Sequence, residues 1–161
     1  MEPSVAHTEE TTSLVVFRLD EHRFALPLPI VERILRSVAI TALPKAPALV
    51  LGAIDVQGRI VPVYDVRRGF RLPQREIRLT DQLAIARTRF RPVAFVVDQA
   101  EGVVERPAAA IVSAAHLSSG LSHLRGVVRL ADGLAVIHDL DQFLSIDDAR
   151  ALEEALLAEQ R

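Results

Sequence analysis

The sequence predicts a mainly β fold. About ten short stretches rich in β-branched and other apolar residues are separated by turn signals at intervals of roughly 8–12 residues, a pattern typical of barrels and sandwiches. Only the C-terminal end repeats apolar residues clearly at helical spacing. The chain has 161 residues, of which 50% are hydrophobic. This is enough for one domain or for two small ones that share a core.

The N-terminal part predicts a hairpin after a tail. Residues 1–12 contain no basic residue and no long apolar run, so we expect a flexible tail that is not a secretory signal. Residues 14–19 are β-branched and aromatic, residues 24–26 are apolar, and the polar cluster between them predicts a turn. Pro27 and Pro29 then interrupt any central ladder, so an edge strand or a helical turn is expected next.

The middle of the chain contains a second predicted hairpin. Its arms are the apolar runs 50–56 and 60–66, and both are expected to be largely buried because they hardly alternate with polar residues. The segment Gln57-Gly58-Arg59 between them predicts the turn. Further strands are predicted at residues 38–43, 83–89, 93–98 and 103–104.

The C-terminal part contains the strongest hairpin pattern. Residues 126–130 and 134–137 are apolar, and Asp132-Gly133 between them predicts a type I′ turn. Residues 108–122 predict a loop with a possible short helix. From Ser145, which begins a segment similar to a capping box, the spacing predicts a helix with one apolar face through Leu156.

The two later hairpins resemble each other. Residues 51–66 and 124–140 both contain a glycine, an apolar strand, a glycine-containing turn, a second apolar strand and an aspartate followed by an apolar residue. Two similar small barrels packed together would produce this echo.

Composition excludes several function classes. The chain has no Cys, which rules out thiol chemistry, Cys-ligated zinc and disulfides. Aromatic residues make up 4% and the net charge is −2, so there is little material for a base-stacking platform and no global field that attracts polyanions. No apolar run is long enough for a membrane helix. We therefore expect a soluble cytoplasmic protein.

No residue pattern indicates catalysis, a metal or a cofactor. His116, His123 and His138 lack the spacing of a metal-ligand set or of an oriented general base. The segment Ser118-Ser119-Gly120 lacks a nucleophile elbow. The glycines are too widely spaced for a phosphate-binding loop.

An arginine-rich stretch offers an alternative function. Between Arg67 and Arg91 the chain has eight arginines but only two acidic residues, Glu76 and Asp81. Such a local excess can bind nucleic-acid phosphates. The competing interpretation is that these arginines lie in solvated turns and on edge strands, where they also discourage aggregation.

The central hairpin resembles a known family. Pro44-x-x-Pro47-x-x-Val50-x-Gly52, continued by Gly58-x-x-x-Pro62-x-x-Asp65, is similar to the pattern of CheW-like domains, the chemotaxis coupling proteins and the regulatory domain of their histidine kinase. Other segments agree with this resemblance: residues 17–19, Phe24, residues 30–34, residues 95–98, and residues 126–140 followed by Phe143-Leu144. The resemblance covers roughly residues 13–158.

The resemblance implies two intertwined SH3-like five-stranded β-barrels around a shared core, followed by a C-terminal helix, with residues 13–161 as a single domain. It implies a non-enzymatic adaptor that contacts the cytoplasmic tip of chemoreceptors and the regulatory domain of a CheA-type histidine kinase. Such a protein would be cytoplasmic, would be recruited to membrane-associated receptor arrays, and would need no cofactor.

One departure from the family pattern concerns the predicted partner surface. Where the family has Asn-x-Arg-Gly, this chain has Asp55-Val56-Gln57-Gly58, so the fixed charge of arginine is lost. Arg59 can replace that charge only if the hairpin lets it project similarly. The partner-binding residues implied by the resemblance are Val31, Arg33, Gly52, Asp55, Gln57, Gly58 and Arg59.

Overall fold

The computed structural model describes residues 10–36, 38–113, 124–144 and 155–157. Its strands are β1 (Thr11–Leu19), β2 (His22–Pro27), β3 (Val31–Arg36), β4 (Val50–Val56), β5 (Arg59–Tyr64), β6 (Gln82–Arg87), β7 (Pro92–Val97), β8 (Gln99–Pro107), β9 (Ile111–Ser113), β10 (Leu124–Leu130) and β11 (Gly133–His138). Two four-residue helices, α1 (Val66–Gly69) and α2 (Leu140–Phe143), each follow a hairpin. Three-residue 3₁₀ turns precede β3 and β9.

The strands form two sheets, each curled into a barrel. The first barrel has the order β8-β1-β2-β11-β10-β9, and the second has the order β3-β6-β7-β5-β4. Neighbouring strands are antiparallel except for the short parallel contacts β2–β11 and β5–β7. The N-terminal strands β1 and β2 therefore share a sheet with the C-terminal strands, while the middle of the chain forms the other sheet.

Hydrogen bonds across the open side of each sheet bring distant strands together. In the first barrel, Arg106 Nε on β8 donates to the Arg129 carbonyl on β10 at 3.1 Å. In the second, Arg59 on β5 donates to Glu32 on β3 at 3.1 Å. The predicted architecture of two SH3-like barrels is confirmed, with a sixth strand, the three-residue β9, in the first barrel.

Among the residues that the structure describes, three buried clusters account for the packing. One fills the first barrel and includes Leu14 and Val16, and a second fills the second barrel and includes Leu83 and Ile85. The largest lies between the barrels, and its phenylalanines at 17, 24 and 95 have ring centroids 5.2–5.9 Å apart. Strands β1 and β6 bury both faces because alternate residues enter a barrel core and the shared core. The shared core that the resemblance implied is therefore present.

The predicted helical face at the C-terminus agrees with the described residues. Ala155–Leu157 are helical, and Ala155 and Leu156 are buried in the shared core. The predicted start of this helix at Ser145 lies outside the described residues, as do His116, His123 and Ser118-Ser119-Gly120.

The predicted strand at residues 38–43 is wrong. Only Thr41 pairs with β4, through two hydrogen bonds of 2.8 and 2.9 Å with Ala53. The chain then turns away at Pro44 and Lys45, where Lys45 has φ 60°. Proline has no amide hydrogen with which to continue a ladder.

The predicted type I′ turn at Asp132-Gly133 is also wrong. Leu130 pairs with Gly133, so the turn residues are Ala131 and Asp132. Neither has a positive φ among the described residues, whereas Gly133, which opens β11, has φ 148°. Arg23 holds this turn by donating to the Asp132 carboxylate at 2.6 Å and to its carbonyl at 3.2 Å. A Cβ at Gly133 would lie 2.6 Å from Arg23 Nη2. The absence of a side chain at Gly133 therefore leaves room for the guanidinium.

Candidate functional site: the surface formed by strand β3 and the β4–β5 turn

The β4–β5 turn has the geometry that its sequence favours. Gln57 and Gly58 have φ angles of 54° and 83°, and positive φ at both central residues defines a type I′ turn. Asp55 accepts a hydrogen bond from the Gly58 amide at 2.7 Å through Oδ1. Asp55 and Gly58 therefore have a structural role, which is to shape the turn that presents Gln57.

Gly52 lies on β4, the arm of this hairpin that forms an edge of the second sheet. It follows a bulge in β4, and a Cβ at this position would lie 2.2 Å from the Thr41 carbonyl oxygen. Gly52 is buried. Its role is structural, which is to allow the close approach of the Thr41 backbone.

Strand β3 contributes a residue that the sequence analysis missed. A bulge between Val31 and Arg33 leaves Glu32 as an extra residue in the pairing with β6, and a bulge can redirect a side chain. Glu32 Oε2 accepts from Arg59 at 3.1 Å, and Oε1 accepts from Arg87 at 3.1 and 3.3 Å. Burial raises the pKa of Glu32, but the hydrogen bonds from Arg87 and Arg59 outweigh burial and hold it below its usual range.

The ion pair between Arg59 and Glu32 brings strand β3 and the β4–β5 turn, the two segments of the predicted site, together. We call the resulting area the β3–turn surface and define it as Val31, Glu32, Arg33, Gln57 and Arg59. Arg33, Gln57 and Arg59 are exposed, and Val31 is half-buried against the shared core. Nothing in the sequence pattern pointed to Glu32, because its partners lie 27 and 55 residues away.

The geometry clarifies the missing family arginine. Arg59, two residues after Gln57, directs its guanidinium at Glu32. The charge therefore lies on the first residue of β5 instead of within the turn. Gln57 remains exposed at the turn itself.

The arginine-rich stretch does not form one solvent-facing strip. Arg67 on α1 is 8% exposed and donates to Asp20 at 2.8 and 3.0 Å and to Asp98 at 2.6 Å. Arg75 donates to both oxygens of buried Asp81 at 2.7 Å, and it also contacts Asp98. We call these five residues the Asp98 network. Because it occupies two of the eight arginines internally and Arg87 pairs with Glu32, the nucleic-acid alternative finds no support.

The Asp98 network joins the two barrels. Asp20 lies in the β1–β2 turn of the first barrel, whereas α1 follows β5 of the second. The hydrogen bond from Arg67 is the main reason that the pKa of Asp20 lies below its ordinary value. Burial raises the pKa of Asp98, but the Asp20 amide and the two guanidiniums more than compensate and lower it. The carboxylates are thus held in their charged form.

The described part of the chain contains no group of three His, Asp or Glu residues arranged to hold a metal ion. Within the same residues, no helix has the length and apolar character needed to cross a membrane.

Comparison with known proteins identifies the family. Residues 13–148 match the model of the CheW-like domain. The chain belongs to the CheW-like domain family. The resemblance noted in the central hairpin is thereby confirmed.

Individual relatives agree with this membership. A chemotaxis protein CheW of Rhizobium meliloti is 24% identical over 140 residues, which cover 86% of this chain and 90% of the relative. One of Treponema pallidum is 21% identical over 154 residues, covering 92% and 91%. One of Thermotoga maritima is 30% identical over 90 residues, covering 55% and 58%.

The fold also agrees. The crystal structure of the scaffolding protein TtCheW from Thermoanaerobacter tengcongensis superposes with a TM-score of 0.78 at 21% identity, covering 86% of this chain and 96% of that one. This likeness shows that the chain has the fold of that scaffolding protein.

Proposed function

We propose that this chain is a non-enzymatic adaptor that couples the cytoplasmic tip of chemoreceptors to the regulatory domain of a CheA-type histidine kinase. The observation that carries the proposal is the CheW-like match over residues 13–148, together with relatives named as chemotaxis proteins over nearly their whole length. The chain acts in the cytoplasm and joins receptor arrays through its partners. Residues 13–161 act as one domain, and Thr11 and Thr12, which were predicted as the end of a tail, belong to it as the start of β1.

The mechanism is geometric. Three buried clusters and the Asp98 network hold the two barrels as a stiff body. A stiff body that contacts both receptor and kinase transmits a change in receptor conformation as a difference in binding free energy, typically about 1–3 kcal/mol between coupled sites. The adaptor needs weak, specific contacts for this and no reactive side chain.

The partner contacts lie on the β3–turn surface. Arg33, Gln57 and Arg59 are exposed and make the direct contacts, and Val31 contributes apolar area at the edge of the shared core. Asp55 and Gly58 act by fixing the shape of the turn that carries these contacts, and Gly52 acts by leaving room for Thr41 beside β4.

A binding experiment tests the proposal as a whole. The full chain is mixed with purified CheA-type regulatory domains from the same genome, and association is followed by calorimetry. We expect a complex at micromolar concentrations. Absence of association with every such domain at high micromolar concentration would overturn the coupling role.

Two substitutions test the surface. Arg59→Gln removes the guanidinium that holds Glu32, so we expect partner binding to weaken about three- to tenfold. Gln57→Arg restores the charge of the family pattern within the turn, and we expect it to preserve or strengthen binding. Weakened binding by Gln57→Arg would instead indicate a re-specialised partner. Arg129→Gln, an exposed arginine on β10 of the other barrel, is the matched control.

A further inference from the structure

The loop between β6 and β7 is built as a rigid turn. Arg87 pairs with Pro92, which leaves residues 88–91 as the connection. Thr88 Oγ1 accepts from the amides of Phe90 and Arg91 at 3.2 and 3.1 Å and donates to the Arg91 carbonyl at 2.7 Å. The Thr88 amide donates to the same carbonyl at 3.1 Å. We call residues 88–91 the Phe90 tip.

A second contact fixes the tip to the body of the protein. The Arg89 amide donates to Asp141 Oδ1 on α2 at 2.8 Å, although the two residues are 52 positions apart. The backbone on both sides of Phe90 is therefore held before any partner arrives. A preorganised loop loses less conformational entropy on binding.

Phe90 is exposed on this fixed backbone. Its side chain is among the exposed large hydrophobics, and the residue is 54% accessible. The chain has six phenylalanines, and the other five lie in the shared core or pack against it. An aromatic residue exposed on a rigid turn is the kind of residue that anchors protein interfaces.

The tip also carries positive charge. Arg89 and Arg91 flank Phe90, and neither guanidinium makes an ion pair with any of the residues that the structure describes. Arg87, at the base of the tip, is already paired with Glu32. The arginine fork matches a carboxylate through two parallel hydrogen bonds. The tip thus offers an aromatic anchor between two cations.

We propose that the Phe90 tip docks an acidic polypeptide segment, one that presents carboxylates to Arg89 and Arg91 and an apolar side chain to Phe90. Two other polyanionic partners fit less well. A nucleic acid needs more phosphate contacts or several stacking aromatics, and the tip has a single ring. A membrane surface requires a broad apolar face, usually an amphipathic helix. The proposal does not depend on which proteins bind the β3–turn surface.

The experiment measures binding of the full chain to defined probes at about 50 mM salt, where exposed charges are weakly screened. The main probe is a labelled synthetic peptide of glutamate with leucine at helical spacing. Its matched control carries lysine in place of glutamate. A short DNA duplex and phosphatidylglycerol vesicles are the competing probes.

Variants of the tip then assign the site. Arg89→Glu combined with Arg91→Glu reverses its charge, and Phe90→Ser removes the anchor. We expect binding of the acidic peptide to weaken at least tenfold with the double variant and about fivefold with Phe90→Ser. Arg36→Glu and Leu79→Ser change an exposed arginine and an exposed apolar residue elsewhere, and we expect less than a twofold effect from either. Thermal melting confirms that each variant is folded.

Three outcomes would overturn the proposal. The acidic peptide could fail to bind the full chain, or it could bind the tip variants as tightly as the unchanged protein. The duplex or the vesicles could also bind more tightly than the peptide in a manner that depends on Phe90.

Discussion

Each barrel contains the same hairpin followed by a short helix, but the two copies contact different parts of the molecule. We call β4, β5 and α1 the first repeat, and β10, β11 and α2 the second. Both contain a bulge followed by a glycine, a hairpin, a short parallel contact and an aspartate that caps a four-residue helix, at 3.2 Å in the first and 3.3 Å in the second. The sequence echo was therefore a correct indication of two equivalent barrels.

The hairpin turns differ in what holds them. In the first repeat, Asp55 accepts a hydrogen bond from within its own turn, and Gln57 is left exposed. In the second, the turn residue Asp132 is held by Arg23 on β2 of the same barrel. The first turn is therefore available to a partner, while the second is used to brace its own barrel.

The helices differ at one equivalent position. Two residues after the capping aspartate, the first repeat has Arg67 and the second has Asp141. Arg67 joins the Asp98 network between the barrels, whereas Asp141 fixes the Phe90 tip through a backbone amide. One position in a duplicated framework thus serves stability in one copy and the presentation of a surface loop in the other.

The first prediction compares these two positions and carries the largest effect. Arg67→Met leaves Asp20 and Asp98 without their shared cation, and we expect a loss of about 2–3 kcal/mol in the free energy of unfolding. Asp141→Asn keeps an acceptor for the Arg89 amide and should cost less than about 0.5 kcal/mol. Urea denaturation measures both values. Equal losses in the free energy of unfolding would mean that Arg67 and Asp141 contribute equally to stability, contrary to the prediction.

The second prediction concerns the glycine after each bulge. A Cβ at Gly52 would lie 2.2 Å from the Thr41 carbonyl oxygen, and one at Gly126 would lie 2.5 Å from that of Val112. We expect Gly126→Ala to cost about 1–2 kcal/mol from crowding alone. Gly52→Ala should cost more, because its φ of 157° adds backbone strain.

Gly58→Ala is the control for strain without crowding, because its Cβ would meet no atom within 4 Å while φ is 83°. It should cost about 1 kcal/mol. Unfolding midpoints for the three variants give the comparison. A smaller loss at Gly52 than at Gly58 would show that the Thr41 segment moves aside.

The third prediction concerns acid stability and has the smallest effect. The pKa values of Asp20, Asp81 and Asp98 are lower in the folded protein than the unfolded value of about 3.9. Their stabilisation is therefore complete above the unfolded pKa and is lost as pH falls through the folded pKa values. We expect a fall in stability below about pH 4, and a shallower fall in Arg67→Met.

Asp132→Asn provides the matched measurement in the second repeat. Hydrogen bonding to Arg23 lowers the pKa of Asp132, but its side chain is 72% exposed, so solvent screens the interaction. Asp132→Asn should therefore reduce the loss of stability at low pH by less than Arg67→Met does. Unfolding midpoints between pH 7 and pH 3 compare the variants, and parallel curves for all of them would contradict the assignment.

The sequence predictions were accurate for features that depend on neighbouring residues in the chain, and they failed for features that depend on distant residues. The hairpin strands were predicted within a few residues because apolar runs and turn residues are local patterns. The four-residue helices α1 and α2 were missed because they are too short to display a period. Residues 38–43 were wrongly predicted as a strand. Within this segment only Thr41 pairs with β4, and the local sequence cannot show how far such pairing extends.

The candidate site divides in the same way. The turn at Gln57 and Gly58 followed from the sequence, because positive φ is a local requirement. Glu32 as the partner of Arg59 did not, because a bulge in β3 and the closure of the second barrel create that contact. The partner-binding role of these residues stays a prediction.

The sequence by itself determined the mainly β class, the duplicated hairpins and the CheW-like family, because these depend on residue type and spacing along the chain. Tertiary structure decided how the charges are used. It placed Arg67 and Arg75 among aspartates, directed Arg59 to Glu32, and left Arg89 exposed and Arg91 half-buried beside Phe90. Nothing in the local sequence separates these arginines, since an ion pair depends on distance in space and on exclusion of water.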